Sequence, residues 1–205
     1  MNAIIDYGAG NLTSVRLALD SLGITAEITQ DPSAVSDAER VIFPGVGAAG
    51  ASMQNLTDLK LLDAIRGVVS SGKPFLGICV GAQVSLDFSE EDGGTDCIGL
   101  VPGRVKRFAP SNRYDKVPQM GWNAVAQKCE HPLFSGIENQ SEFYFVHSFY
   151  PAPKNPSTVL GETDYADVTF ASVYAKNNLV ATQFHPEKSG KVGLQLLKNF
   201  FNWAP

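Results

Sequence analysis

No apolar run in this chain approaches the roughly 20 residues that a membrane span requires, and the opening MNAIIDYGAG lacks the basic stretch and apolar core of a secretory leader. A cytoplasmic protein with no membrane partner is therefore expected. Cysteine is also sparse: Cys79, Cys97 and Cys129 are an odd number with no C-x-x-C spacing, which disfavours both a disulfide framework and a zinc site. At least one thiol must be free. No metal and no cofactor are expected. Charged residues make up only 18% of the chain and sum to a formal net charge of -5, so neither a nucleic-acid surface nor a disordered tail is indicated. There is no internal repeat, low-complexity tract or linker. What is present is 205 residues, 44% of them hydrophobic, which fits one domain over residues 1–205.

Short apolar runs alternate with helical patterns through the first half. Asn2 to Ile5 predicts a buried strand ended by Asp6, Tyr7, Gly8 and Gly10. Leu12, Val15, Leu19 and Leu22 then recur at helical spacing, with Gly23 at the C-terminal position that favours a left-handed residue. Val41 to Phe43 predicts a strand broken by Pro44, and Leu59, Leu62, Ile65 and Val69 mark the inner face of a helix ending before Gly72. Phe75 to Ile78 is a third strand, with a helix from about Ala82. This order implies an α/β fold with a mostly parallel sheet, helices on both faces and ligands at the carboxyl ends of the strands. From about Gly99 strands dominate: Gly103 to Phe108, Phe143 to Phe149, Thr158 to Gly161, Thr169 to Lys176 and Leu179 to Gln183, an antiparallel extension. Pro151 to Pro156 is expected to be a loop, and Gly190 to Trp203 a closing helix.

Three segments carry chemistry, each directly after a predicted strand. Gly77-Ile78-Cys79-Val80-Gly81 is a G-x-C-x-G, which reads either as a nucleophile elbow with sulfur for oxygen or as a small buried cysteine in an ordinary turn. In an elbow, the helix that follows favours the reactive thiolate. His185-Pro186-Glu187 places a base and an acid two residues apart, a spacing that aligns them on extended chain but not on a helix. His185 would exchange the proton of Cys79 while Glu187 holds its tautomer, unless the segment is simply a surface turn. Pro44-Gly45-Val46-Gly47 is a turn whose Val46 amide, with that of Val80, could face a developing oxyanion.

Taken in order, the oxyanion turn, the G-x-C-x-G-x-Q elbow and the late H-x-E resemble the class I, or triad, glutamine amidotransferases, whose fold is flavodoxin-like. The resemblance is closer to the glutaminase subunits of imidazole glycerol phosphate synthases. It runs through Asp6-Tyr7-Gly8-Ala9-Gly10-Asn11-Leu12, Pro44-Gly45-Val46-Gly47, Met120-Gly121-Trp122-Asn123, Tyr144-Phe145-Val146-His147-Ser148 and His185-Pro186-Glu187-Lys188-Ser189-Gly190, and the chain ends soon after, as a stand-alone subunit would. It implies hydrolysis of L-glutamine to glutamate and ammonia, the ammonia passing to a cyclase of β/α-barrel type that makes imidazole glycerol phosphate in histidine biosynthesis. Catalytic roles fall on Cys79, His185 and Glu187, and the oxyanion hole on Val46 and Val80. Glutamine contacts fall on Gly47, Gln83, Glu91, His147, Ser148 and Phe149, and the cyclase interface on Asn11, Trp122 and Lys188. The resemblance also implies that the oxyanion turn is misaligned until the partner carries its ligand. Val80 and Ala82 depart from the usual Leu and Met, and Gln119 stands where His is common, which alters hydrogen bonding near the interface. Glu91 lies in the charged run Asp87 to Asp92, as solvated residues do, and Trp122 fits core packing as well as an interface. Cys97 and Cys129 match no motif, and His131 reads as a surface turn residue. Other readings are a glutaminase serving another synthase, a free-standing cysteine hydrolase and a silent regulatory subunit; Gln83 and Glu187 argue against the hydrolase, the complete Cys, His and Glu set against the silent subunit.

Overall fold

Runs such as Ala3-Ile4-Ile5 and Leu179-Val180-Ala181 have no polar face to offer water, so they form strands only where both sides of a sheet are covered. The computed structural model describes residues 1–205. Its first half runs β1 (Asn2–Ile5), α1 (Leu12–Ser21), β2 (Ala26–Thr29), α2 (Pro32–Asp37), β3 (Arg40–Gly45), α3 (Ala49–Asp58), α4 (Leu61–Ser70), β4 (Phe75–Cys79) and α5 (Val80–Val84). The strand-rich half follows with β5 (Phe88–Ser89), β6 (Thr95–Asp96), β7 (Gly103–Arg107), β8 (Gln119–Ala124), β9 (Ala126–Gln127), β10 (Glu142–His147), β11 (Phe149–Pro153), β12 (Val159–Tyr165), β13 (Val168–Lys176), β14 (Leu179–Thr182) and the closing α6 (Gly190–Asn202). No helix is long and apolar enough to cross a membrane.

The main sheet has eight strands in the order β2-β1-β3-β4-β14-β13-β12-β9. Its first five are parallel, and β13, β12 and β9 add antiparallel neighbours. The helices pack in two groups, α1 against α6 and α2 to α5 among themselves. A single apolar cluster of 49 buried residues fills the space between them and the sheet. Phe43, Phe75 and Phe184 are among its fully buried side chains, each stabilising the fold by about 1.5–3 kcal/mol relative to exposure. Two smaller sheets, β10-β8 and β11-β7-β5-β6, complete the second half.

The register decides where chemistry can be placed. Gly45 of β3 lies beside Cys79 of β4, and Thr182 of β14 lies beside Ile78, so three carboxyl ends share one rim.

Several boundaries differ from the sequence reading. Pro44 does not break its strand but pairs with Ile78, at a level where β3 has run past β1; beyond the last β1 bond, proline's missing N–H costs little. The helix expected from Leu59 starts after Lys60, whose φ of 56° separates it from α3, and its buried face is Leu61, Ala64, Ile65 and Val68 rather than Leu59, Leu62 and Val69. Phe143 to Phe149 is two strands divided at Ser148, and Pro151 and Pro153 lie in β11, not in a loop. They are tolerated because β11 is an edge strand.

Candidate active site

Cys79 ends β4 with φ 55° and ψ −109°, a conformation that costs a non-glycine residue about 1–3 kcal/mol and persists only where the surroundings enforce it. They do. A Cβ on Gly81 would fall 1.9 Å from the carbonyl oxygen of Phe43, and one on Gly45 would fall 2.3 Å from the Tyr7 hydroxyl. Only glycines let β3 and the first turn of α5 close around Cys79. α5 begins at Val80, two residues earlier than the pattern indicated, and spans five residues. Its short length is offset by side chains that pin it: Ser85 Oγ donates to Gly81 O at 2.7 Å, and the Tyr174 hydroxyl donates to Ala82 O. The Val80 amide opens the helix, where the first N–H groups have no intrahelical acceptor.

The His-Pro-Glu segment follows β14 on the adjacent strand. Phe184 anchors it by stacking on Phe143 at 4.1 Å between centroids. The His185 amide donates to Tyr144 O at 2.9 Å, and Ser189 Oγ donates to His185 O at 2.6 Å while accepting from the Tyr144 amide. Gly193 lets α6 approach the turn, since a Cβ there would sit 1.9 Å from Pro186 O. With the turn fixed, His185 Nδ1 lies 2.8 Å from Glu187 Oε1, both side chains being almost completely buried. Burial alone would drive the proton off His185. The neighbouring Cys79, and then the hydrogen bond and charge of Glu187, outweigh that and push its pKa up to about 10. Nε2 is buried and makes no hydrogen bond, which leaves it the free ring nitrogen.

Cys79 and His185 open on a cleft of about 350 Å³ whose lining includes Val46, Gly47, Val80, Gln83 and Glu91. His147, Ser148 and Phe149 line it too, as do Pro118 and Val146, which the sequence reading did not single out. Val146 lies inside a quoted motif and Pro118 just before one, but apolar residues carry no chemical signature. Glu91 is not a freely solvated residue of its acidic run. Its Oε2 accepts the amide of Ala49 at 2.7 Å, at the start of α3, and burial, which outweighs that bond, raises its pKa. Gln83 gives both hydrogens of Nε2 to the frame, one to Phe149 O and one to Gln183 Oε1, each at 2.9 Å. The Phe149 carbonyl is thus occupied, and it also accepts from His147 Nδ1 at 2.6 Å.

A pH dependence follows from His147. Burial, against a smaller opposing effect of the Phe149 hydrogen bond and with help from the nearby His185 charge, lowers it from 6.5 to about 4. Between those values the unfolded chain binds a proton that the native chain excludes, so stability rises with pH there, is fully present above 6.5 and is lost as pH falls through 4. The loss should amount to about 3 kcal/mol. Urea unfolding of wild type and His147→Gln across this range checks it: the variant should show a flatter acid slope, and equal slopes would count against this assignment.

The residues expected at an interface lie outside the cleft. Asn11 caps α1 by accepting from the Ser14 amide, Lys188 is half-buried in the turn after His185, and Trp122 is 51% exposed on β8. That exposure excludes core packing for Trp122, whose ring lies edge-on to that of Tyr144, 6.1 Å between centroids. Met120, 65% exposed on the same face, is a further member that its motif carried without a stated role. Gln119 faces the other way, fully buried, register partner of His147 and donor to Asn123 Oδ1 at 2.9 Å. His131 is less a surface residue than expected: its Nδ1 accepts from the Leu133 amide and caps a short turn. Cys97 is half-buried, and burial followed by nearby carboxylates pushes its thiol up to about 11; Cys129 is exposed.

A cysteine sulfur, an imidazole hydrogen-bonded to a carboxylate, and backbone amides at two strand ends are groups that suit acyl transfer from an amide. Residues 3–203 match the glutamine amidotransferase class-I family model, and the chain belongs to that family. Its full-length relatives include the imidazole glycerol phosphate synthase subunit HisH of Neisseria gonorrhoeae, 50% identical over 98% of this chain and 99% of that one, and of Nitratidesulfovibrio vulgaris, 50% identical over 100% and 97%. The HisH subunit of Dehalococcoides mccartyi is 47% identical over 100% of this chain and 98% of its own. Among solved structures, PurLQS from Thermotoga maritima superposes with a TM-score of 0.77 at 17% identity, covering 98% of this chain and 97% of that one, a likeness of fold.

Proposed function

We propose that this chain is the glutaminase subunit of an imidazole glycerol phosphate synthase, hydrolysing L-glutamine to glutamate and ammonia for histidine biosynthesis. The observation that carries the chemistry is the alignment of Cys79, His185 and Glu187 on the ends of β4 and β14, with His185 Nδ1 at 2.8 Å from Glu187. The Cys79 thiolate attacks the side-chain carbonyl carbon of glutamine, and the oxyanion is met by the amides of Val80 and, once the turn is aligned, Val46. The C–N bond breaks as the His185 imidazolium gives its proton to the departing nitrogen, releasing ammonia and leaving a thioester. Water then loses a proton to His185 and attacks the thioester, glutamate departs and the thiolate is restored. Glu91 and the Gln83 Oε1 atom suit the α-amino group of the substrate as acceptors. The Gly47, Ser148 and Phe149 amides suit its carboxylate as donors, and His147 orders that loop. No cofactor enters this scheme.

Ammonia is consumed elsewhere, so the reading includes a partner: a cyclase of β/α-barrel type bound through Asn11, Trp122 and Lys188, in the cytoplasm, with residues 1–205 acting as one glutamine amidotransferase domain. Exposed Trp122 and Met120 beside the cleft support such a face. The test is a glutaminase assay of the chain alone, with the cyclase, and with the cyclase and its ligand. Turnover should be low alone and highest with both. Full turnover by the isolated chain would refute the dependence on a partner, and absence of glutamine turnover in every mixture would refute the substrate.

A further inference from the structure

Gln183 stands across from Cys79. Thr182 pairs with Ile78 in the parallel register of β14 and β4, so the next residues of the two strands end side by side. Gln183 is fully buried, and a primary amide in such a place is tolerated only when its polar atoms are paired. They are paired with two groups of the site: Nε2 donates to Cys79 Sγ at 3.6 Å, an ordinary separation for the larger sulfur atom, and Oε1 accepts from Gln83 Nε2 at 2.9 Å.

The direction of this amide is fixed from a distance. Gln83 Nε2 also donates to Phe149 O at 2.9 Å, and a carbonyl oxygen can only accept. The nitrogen of Gln83 must therefore face Phe149, the oxygen of Gln183 must face that nitrogen, and the nitrogen of Gln183 is left for the sulfur. Gln83 Nε2 thus donates to both sides, to Phe149 O and to Gln183 Oε1, and Gln183 Nε2 carries the second branch on to the Cys79 sulfur.

We propose that Gln183 is a positioning residue for the nucleophile, its amide donating to the Cys79 sulfur so as to favour the thiolate and hold it toward His185, while tying it to the substrate-facing Gln83. The inference rests on the reading of Cys79 as the nucleophile. A donated hydrogen bond stabilises an anion more than its neutral form, so the amide acts on sulfur ionisation as well as its placement. A residue serving only as a strut for Gln83 would act on neither.

Gln183→Glu still accepts from Gln83 and cannot donate to sulfur, but its charge would raise the thiol midpoint by itself, so the neutral Gln183→Met is the deciding variant. The readout is the rate of iodoacetamide labelling of Cys79 in the full chain as a function of pH, resolved by peptide mass so that Cys97 and Cys129 do not contribute. The half-maximal pH should move up by about one unit or more, and glutamine turnover with the cyclase should fall roughly 10- to 100-fold in kcat with a smaller change in KM. Gln183→Met, neutral and of similar volume, should shift the midpoint in the same direction with no charge added beside the sulfur. A folded variant of either kind with a wild-type midpoint would overturn the proposal. In the wild-type chain, the side-chain NH2 resonances of Gln183 should move as Cys79 titrates and lose that response in Cys79→Ala; an unresponsive amide would overturn it without any Gln183 variant. Labelling does not involve glutamine, so a wrong substrate assignment would leave the midpoint shift in place, whereas a wrong role for Gln183 would leave the midpoint of Gln183→Met unmoved.

Discussion

Alanine at position 79 is expected to lower glutamine turnover by roughly 10⁴-fold or more, because no other group in the cleft can form the thioester. The expectation is sharp because the substitution does little else. It removes one atom from a side chain that is 4% exposed, a change that should cost about 1 kcal/mol of stability. Alanine also bears the same φ of 55° no worse than cysteine does. The variant should therefore fold, melt close to wild type and still bind the cyclase. A glutaminase assay of the complex, with a melting curve on the same sample, checks both halves. Turnover near the wild-type rate would remove Cys79 from the mechanism. A glutamine-analogue electrophile supplies the complementary test: it should label wild type at Cys79 and leave the variant unlabelled.

The parts of this molecule that were legible in its sequence share a physical property: their signal is local. The parallel strands β1, β3, β4 and β14 are buried on both faces and therefore appear as uninterrupted apolar runs. The elbow is legible because the close approach of β3 and α5 admits only glycine at 45 and 81, and the base and acid because both sit on one turn. What escaped has no local signal. β2 is an edge strand in which Ala26, Glu27 and Ile28 all keep some exposure, and α2 is only six residues long, so neither shows a clear period. Glu91 was singled out by resemblance alone, its acidic neighbours carrying the same chemical signal, and only the structure shows its carboxylate accepting from the first residue of α3. Gln183 carried no mark at all, since its meaning comes from two partners about a hundred residues away.

Glutamine in place of Glu187 is expected to reduce kcat by roughly 10³- to 10⁴-fold with KM little changed. The carboxylate accepts from His185 Nδ1 at 2.8 Å, which leaves Nε2 to face the sulfur in the form that can take and return a proton. An amide has two ways to sit in the same space, and both fail. With its NH2 toward His185 it forces the proton onto Nε2 of a neutral ring, the wrong tautomer for a base. With its oxygen toward His185 it preserves the tautomer but buries an NH2 where Glu187 Oε2 now has no hydrogen-bond partner, leaving donors unpaired. In either pose the imidazolium loses the charge of a buried anion, so the proton owed to the leaving nitrogen is held less well and the alkaline limb of the kcat profile should move to lower pH. A merely structural carboxylate would instead lower the melting temperature and leave that limb in place. Retention of the wild-type profile in a folded variant would mean that His185 is aligned by something other than Glu187.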